Sequence, residues 1–283
     1  MACEYELAEI HGAKGLKLAV QYWGERSNPA VIFLHGGGQN RHSWRRTAES
    51  VAAKGWLAVA FDLRGHGDTG WSADGSYAIA DYLDDLEAVA RSVNVNGPVV
   101  LVGASLGGIV ALLASVGLPG LVSALVMVDV GLSVEKDASQ RIRSFMLKHA
   151  ESGFETLEEA AAAVAAYLPD RGRMRTPDEL ANSLSLKDGR WYWHWDPKIL
   201  SSTDLSEVGD GSLAPVARRL SLPTLLVRGG RSDVLDERKV QEFLECVPHA
   251  QHRTVDHAGH MIAGDNNDAF NRVIGEFLQS LRP

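Results

Sequence analysis

Cysteine is scarce in this chain of 283 residues: Cys3 and Cys246 are the two present, far apart and without metal-ligand spacing. That excludes a disulfide framework and a cysteine-based zinc site, and the expectation is free thiols in a reducing compartment. Long hydrophobic runs are missing as well. Runs such as Pro98 to Ala104 are of strand length, and none approaches the length that spans a bilayer. The N-terminal residues carry neither a basic nor an apolar leader region, so a cytoplasmic location is expected. Positive charge is in deficit, with a formal net charge of -8 and no basic stripe. Nucleic acid is therefore not an expected partner, and the acidic surface also disfavours an anionic membrane. The glycine run at 36–38 is followed by neither a Walker lysine nor the G-x-G-x-x-G spacing, which argues against a phosphate-binding loop there. No set of His, Cys and carboxylates has metal spacing, so neither metal nor cofactor is expected. What remains has 45% hydrophobic and 23% charged residues, an ordinary globular composition large enough for one core with a modest insertion.

Short apolar runs alternate with helical patterns along the chain. Val31 to Leu34, Leu57 to Phe61, Val99 to Val102, Leu125 to Val128 and Thr224 to Val227 are strand-length and rich in branched residues. They are apolar at nearly every position, as expected of parallel strands covered on both faces. His252 to Val255 reads as a further strand, and Tyr5 to Ile10 with Lys17 to Tyr22 as a leading antiparallel pair. Tyr82, Leu83, Leu86, Val89 and Ala90 form one helical stripe, and Phe270, Val273, Ile274, Phe277, Leu278 and Leu281 another. This alternation predicts an α/β doubly wound fold. One stretch departs from it: from about Gly131 to Ser221 there are helical patterns but no convincing strand. The expectation is a core over 1–130 and 222–283, with a helical cap over 131–221 inserted between strands six and seven, above the edge where open α/β sheets bind ligands.

Four short segments carry chemistry. Gly103-Ala104-Ser105-Leu106-Gly107 matches G-x-S-x-G, directly after one strand and directly before a helix. A strained turn there needs residues without bulk at Gly103 and Gly107, and leaves the serine hydroxyl exposed. His35-Gly36-Gly37-Gly38 follows the strand Val31 to Leu34, where the N–H of Gly37 together with that of Leu106 would hold an oxyanion. His35 is expected to brace this loop. Asp233 follows Thr224 to Val227 through a short loop, and His260 follows His252 to Val255 in Ala258-Gly259-His260. Ser105, Asp233 and His260 thus suit the roles of nucleophile, orienting acid and base. Asp129, which ends Leu125 to Val128, is the competing acid. Asp256, His257 and His66 read as structural loop residues. Trp191-Tyr192-Trp193-His194-Trp195 concentrates aromatics in the cap. Trp191, Trp193, His194 and Trp44 are candidate walls for a substrate, or else packing residues.

At these motifs, and at Asp62-Leu63-Arg64-Gly65-His66-Gly67, the chain resembles the α/β-hydrolase superfamily over most of its length. The resemblance implies a mostly parallel eight-stranded sheet flanked by helices and a Ser105-Asp233-His260 triad. Serine at the nucleophile position argues against the haloalkane dehalogenases and most epoxide hydrolases of that superfamily. The expected activity is hydrolysis of a small carboxylic ester or lactone through an acyl-enzyme on Ser105, on a substrate with an apolar or aromatic part. The same triad can cleave carbon–carbon bonds in diketone-type substrates, or thioesters and amides, or support perhydrolysis. Some members of the fold are receptors for small ligands with little turnover.

Overall fold

The computed structural model describes residues 4–93, 97–133, 136–167, 176–202, 213–265 and 267–282. Strands β1 (Tyr5–His11), β2 (Lys17–Trp23), β3 (Ala30–Leu34), β4 (Leu57–Phe61), β5 (Val99–Ala104) and β6 (Val122–Val128) come first, with helices α1 (Arg45–Ala52), α2 (Ile79–Val93) and α3 (Leu106–Gly117) between them. The stretch that follows contains α4 (Lys136–Lys148), α5 (Leu157–Tyr167), α6 (Pro177–Ala181), β7 (Leu184–Lys187), β8 (Arg190–Trp193), α7 (Ile199–Ser202) and α8 (Ala214–Ala217). The chain closes with β9 (Thr224–Gly229), α9 (Glu237–Cys246), β10 (Gln251–Val255), α10 (Ile262–Asp265) and α11 (Asn267–Ser280).

Eight strands form one sheet in the order β1-β2-β4-β3-β5-β6-β9-β10. The β1–β2 and β2–β4 ladders are antiparallel and the others parallel. This is the α/β-hydrolase fold. All five residues of β3 and of β4 are buried, because helices cover both faces and successive side chains alternate between them. Ile32, Leu34, Val59 and Phe61 face the cluster that includes Tyr82, Leu86 and Val89 of α2. Val31, Phe33, Ala58 and Ala60 face the other, with Ala48 and Val51 of α1 and Phe270, Ile274 and Phe277 of α11. The helical stripes expected from the sequence are those buried here. The sheet order reverses direction at β3, which has β4 on one side and β5 on the other. The loops leaving the C-terminal ends there are where such a sheet binds ligands.

The stretch between β6 and β9 corrects the expectation of helices alone. It carries a two-stranded antiparallel hairpin, β7–β8. Lys187 opposes Arg190 across a two-residue turn, with Asp188 at φ 50° and Gly189 at φ 78°. Two left-handed residues match the twist of a hairpin, and Asp-Gly is a strong signal for it. The stretch docks on the loops after β3 and β4. Gly67 N–H donates to the His194 carbonyl at 2.7 Å, Asp196 N–H to the Gly65 carbonyl at 2.8 Å, and Tyr77 Oη to Asp196 Oδ2 at 2.6 Å. The Asn40 carboxamide donates to the Asn182 carbonyl. Among the described residues no helix is long and apolar enough to cross a membrane.

Candidate active site

Ser105 sits at the turn from β5 into α3 with φ 49° and ψ -119°, a conformation that costs a non-glycine residue about 1–3 kcal/mol. The two flanking glycines make it possible. A Cβ on Gly107 would lie 2.4 Å from the Leu34 carbonyl oxygen, and one on Gly103 would lie 2.3 Å from the Gly107 carbonyl oxygen. Backbone occupies both spaces, so no side chain fits. The strand thus enters α3 abruptly, with the half-buried Ser105 at its tip.

The glycine loop after β3 passes over this turn. A Cβ on Gly36 would stand 3.3 Å from the Ser105 Cβ. Gly36 N–H donates to Gln39 Oε1 at 3.1 Å, and Gly38 N–H to His66 Nε2 at 3.1 Å. Between them, Gly37 is exposed, with open space around its Cα and no acceptor for its N–H among the described residues. The N–H of Leu106 is the first of α3, and first-turn N–H groups have no intrahelical acceptor. The two donors singled out in the sequence therefore belong to segments that meet at Ser105.

Two buried histidines hold this loop from beneath. His35 Nδ1 bonds the Gly36 carbonyl at 2.8 Å while its Nε2 accepts the Leu63 N–H at 2.9 Å. His66 Nδ1 bonds the Arg64 carbonyl at 3.0 Å while Nε2 accepts from Gly38. Both rings must be neutral to accept, and their centroids lie 5.1 Å apart. Burial pushes His35 down to about 4 and, with the neighbouring His35, His66 down to about 3. In the unfolded chain both would take up protons near pH 6.5. The unfolded state therefore binds more protons below that value, and the stability they contribute at neutral pH is lost as the pH falls from about 6.5 toward those values. The expected result is a denaturation midpoint in urea that drops between pH 6.5 and 5, before the bulk of the carboxylates titrate. A midpoint flat across that interval would contradict neutral buried histidines.

The rest of the Asp62-Leu63-Arg64-Gly65-His66-Gly67 segment is scaffold. Asp62, fully buried, accepts the Arg41 N–H at 2.6 Å and the Asp68 N–H at 2.9 Å, and pairs with the Arg41 guanidinium. Arg64 pairs with Asp85 of α2 through two contacts of 2.8 Å. The aspartates of α2 thus anchor the loop after β4 in addition to favouring the helix dipole.

The acid is where the structure departs most from the sequence reading. His260, half-buried in the turn between β10 and α10, directs Nδ1 to Asp129 Oδ2 at 2.7 Å. Asp129 is completely buried at the end of β6, at φ 50°. Its Oδ1 accepts the Gly229 N–H at 2.9 Å and its Oδ2 the Ser232 hydroxyl. Asp233, expected in this place, points outward with its side chain 71% exposed and meets Arg141 of α4 at 3.3 Å. The two aspartates leave adjacent strands at the same edge. The left-handed turn at Asp129 brings its carboxylate inward, whereas the loop after β9 turns Ser232 inward and Asp233 out. Among the described residues no hydrogen bond joins Ser105 Oγ to His260; catalytic pairs commonly tighten only around substrate.

The expected substrate walls fare unevenly. Trp44 is 1% exposed, behind the sheet between Phe33 and Phe270 at centroid distances of 5.3 and 6.1 Å. It is a core residue, not a wall. Trp193 packs edge-on to Phe154 at 5.1 Å and beside Phe145 at 5.9 Å, and Trp191 pairs its backbone with Phe154. These two organise the interior of the inserted stretch. The His194 carbonyl docks that stretch on Gly67, and its Nε2 lies 3.7 Å from Asp68 Oδ1. Met146, which the sequence did not single out, and Trp195, the last residue of the aromatic segment, lie at the glycine loop. Met146 Cε is 3.0 Å and Trp195 Nε1 4.0 Å from where a Gly38 Cβ would be. Gln39 Nε2 lies 2.8 Å from Met261 Sδ, joining the glycine loop to the turn that carries His260. Met146 lies on α4, and nothing in the sequence around it announced the contact. Among the described residues no cluster of His, Cys, Asp or Glu is arranged to hold a metal.

Comparison with known proteins places this geometry. Residues 31–273 match the model of a family described as "Alpha/beta hydrolase family". An esterase of Mycobacterium tuberculosis is 32% identical over 281 residues, covering 97% of this chain and 90% of that protein. A 3-hydroxybutyrate-oligomer hydrolase of Cupriavidus necator is 26% identical, covering 86% and 87%. A solved structure of the M. tuberculosis esterase superposes with a TM-score of 0.78 at 28% identity, covering 97% of this chain and 92% of that one. An E-2-(acetamidomethylene)succinate hydrolase superposes with a TM-score of 0.85 at 21% identity over 98% and 100%, a likeness of fold.

Proposed function

Because this chain belongs to the α/β-hydrolase family, we propose that it is a serine hydrolase of small carboxylic esters or lactones, acting through an acyl-enzyme on Ser105. The observation that carries the reading is the bond of 2.7 Å between His260 and the buried Asp129, at the same sheet edge as the strained Ser105. In this reading His260 Nε2 removes the Ser105 proton as the oxygen attacks the substrate carbonyl. Asp129 keeps the imidazole proton on Nδ1 and stabilises the imidazolium that forms. The N–H groups of Gly37 and Leu106 receive the charge that develops on the carbonyl oxygen. Collapse expels the alcohol, protonated by His260, and water then attacks the acyl-enzyme with His260 again as base. The stretch between β6 and β9 acts as a cap. Met146 and Trp195 at the glycine loop favour an apolar or aromatic group on the substrate. Relatives named esterase and hydrolase support the reaction class.

The test is labelling by a fluorophosphonate probe followed by peptide mass spectrometry. Wild type is expected to carry the adduct on Ser105, and Ser105→Ala and His260→Ala to remain unlabelled. A folded wild-type protein left unmodified at Ser105 would remove the case for an activated nucleophile.

A further inference from the structure

Asp129 Oδ2 serves two donors at once, the imidazole of His260 and the hydroxyl of Ser232. The direction of the second bond is fixed by its surroundings. Ser232 Oγ accepts the N–H of Val234 at 3.1 Å and of Leu235 at 3.3 Å. Both acceptor positions of that oxygen are thereby used, so its single proton goes to the carboxylate. A turn bond from Ser232 N–H to the Gly229 carbonyl at 2.9 Å sets the loop, and the Gly229 N–H holds the other carboxylate oxygen.

We infer that Ser232 is a positioning residue of the proposed hydrolase, its hydroxyl fixing the Asp129 carboxylate against His260 and tempering its charge. This rests on the Asp129–His260 reading above. Two effects follow. The carboxylate cannot rotate away from Nδ1, so the productive tautomer of His260 persists. The donated proton also withdraws charge from the oxygen facing the imidazole, so the carboxylate's pull on a charged imidazole is tempered. The charged side chains on the loops that carry Ser232 and His260 are Arg231 and Asp233 after β9, the latter met by Arg141 of α4, and Asp256 and His257 before His260. Arg231 lies 3.4 Å from the His257 ring and Asp233 is taken by Arg141; none of these pairings involves Ser232.

The experiment is hydrolysis of p-nitrophenyl acetate from pH 5 to 9 by wild type, Ser232→Ala, Ser232→Thr and Asp129→Asn, with folding checked by circular dichroism. Ser232→Ala is expected to lower kcat about tenfold with KM within about twofold, as for loss of one hydrogen bond to a charged group. The acid limb of its kcat/KM profile should move to higher pH, because the unshielded carboxylate holds the imidazolium more strongly. Ser232→Thr keeps the hydroxyl and should restore both quantities. Wild-type kcat and an unmoved acid limb in Ser232→Ala, with Asp129→Asn inactive, would overturn the inference while sparing the triad. Equal loss in the alanine and threonine variants would overturn it too. Full activity of Asp129→Asn would remove the triad reading itself.

Discussion

Replacing Asp129 by Asn is expected to lower kcat about ten-thousand-fold, and replacing Asp233 by Asn to leave it within about threefold. The carboxamide would present either an N–H to the imidazole or an oxygen without full charge, so the tautomer with the proton on Nδ1 would no longer be enforced. In well-characterised triads that change costs about 10⁴ in turnover. Asp233, by contrast, is solvated and its partner is the exposed guanidinium of Arg141; exposed pairs of this kind contribute about 0–1 kcal/mol. Steady-state kinetics on p-nitrophenyl acetate decide the matter. An inactive Asp233→Asn beside an active Asp129→Asn would return the acid role to the loop after β9.

The second large effect concerns Ser105 and carries opposite signs for activity and stability. Ser105→Gly removes the nucleophile, and loss of a triad nucleophile costs on the order of a million-fold in kcat. It also relieves a backbone held at φ 49° and ψ -119°, where glycine is at ease. Stability should rise by about 1 kcal/mol, net of the greater freedom glycine has when unfolded. Ser105→Ala should lose activity equally without that gain, since alanine keeps the Cβ. Thermal melts of the two variants beside wild type test this. A glycine variant less stable than the alanine variant would show that the turn is not strained.

Much of this molecule could be read from its amino acids. Strands β3, β4, β5, β6 and β9 were legible because parallel strands buried on both faces are apolar at every position. The leading antiparallel pair, Tyr5 to Ile10 with Lys17 to Tyr22, was legible too. The turn carrying Ser105 was legible because Gly103 and Gly107 bracket a serine between an apolar run and a helix. The choice between Asp129 and Asp233 was not. Each ends a strand at the same edge, and the decision rests on one left-handed residue and one hydroxyl, neither of which has a periodic signature. Lys187-Asp188-Gly189-Arg190 did carry a signal, the Asp-Gly turn of the β7–β8 hairpin, but its strands are short and lie amid helical patterns. Trp44 illustrates a different limit: an aromatic near a functional loop can as well plug the opposite face of the sheet, and sequence spacing does not say which.

The ladder between β6 and β9, with Asp129 N–H bonded to the Val227 carbonyl at 2.8 Å, closes the chain on either side of the long stretch between them. Asp129 stands at one foot of that arch and Ser232 lies a few residues past the strand that forms the other. Closure entropy grows only logarithmically with loop length, roughly 0.6 kcal/mol for each doubling. Lengthening, shortening or exchanging the arch is therefore cheap as far as closure is concerned, provided its feet stay zipped. On the proposed reading, substrate preference can drift through the arch while Ser105, His260 and Asp129 keep their places, so a transplanted arch would change selectivity without rebuilding the chemistry below it.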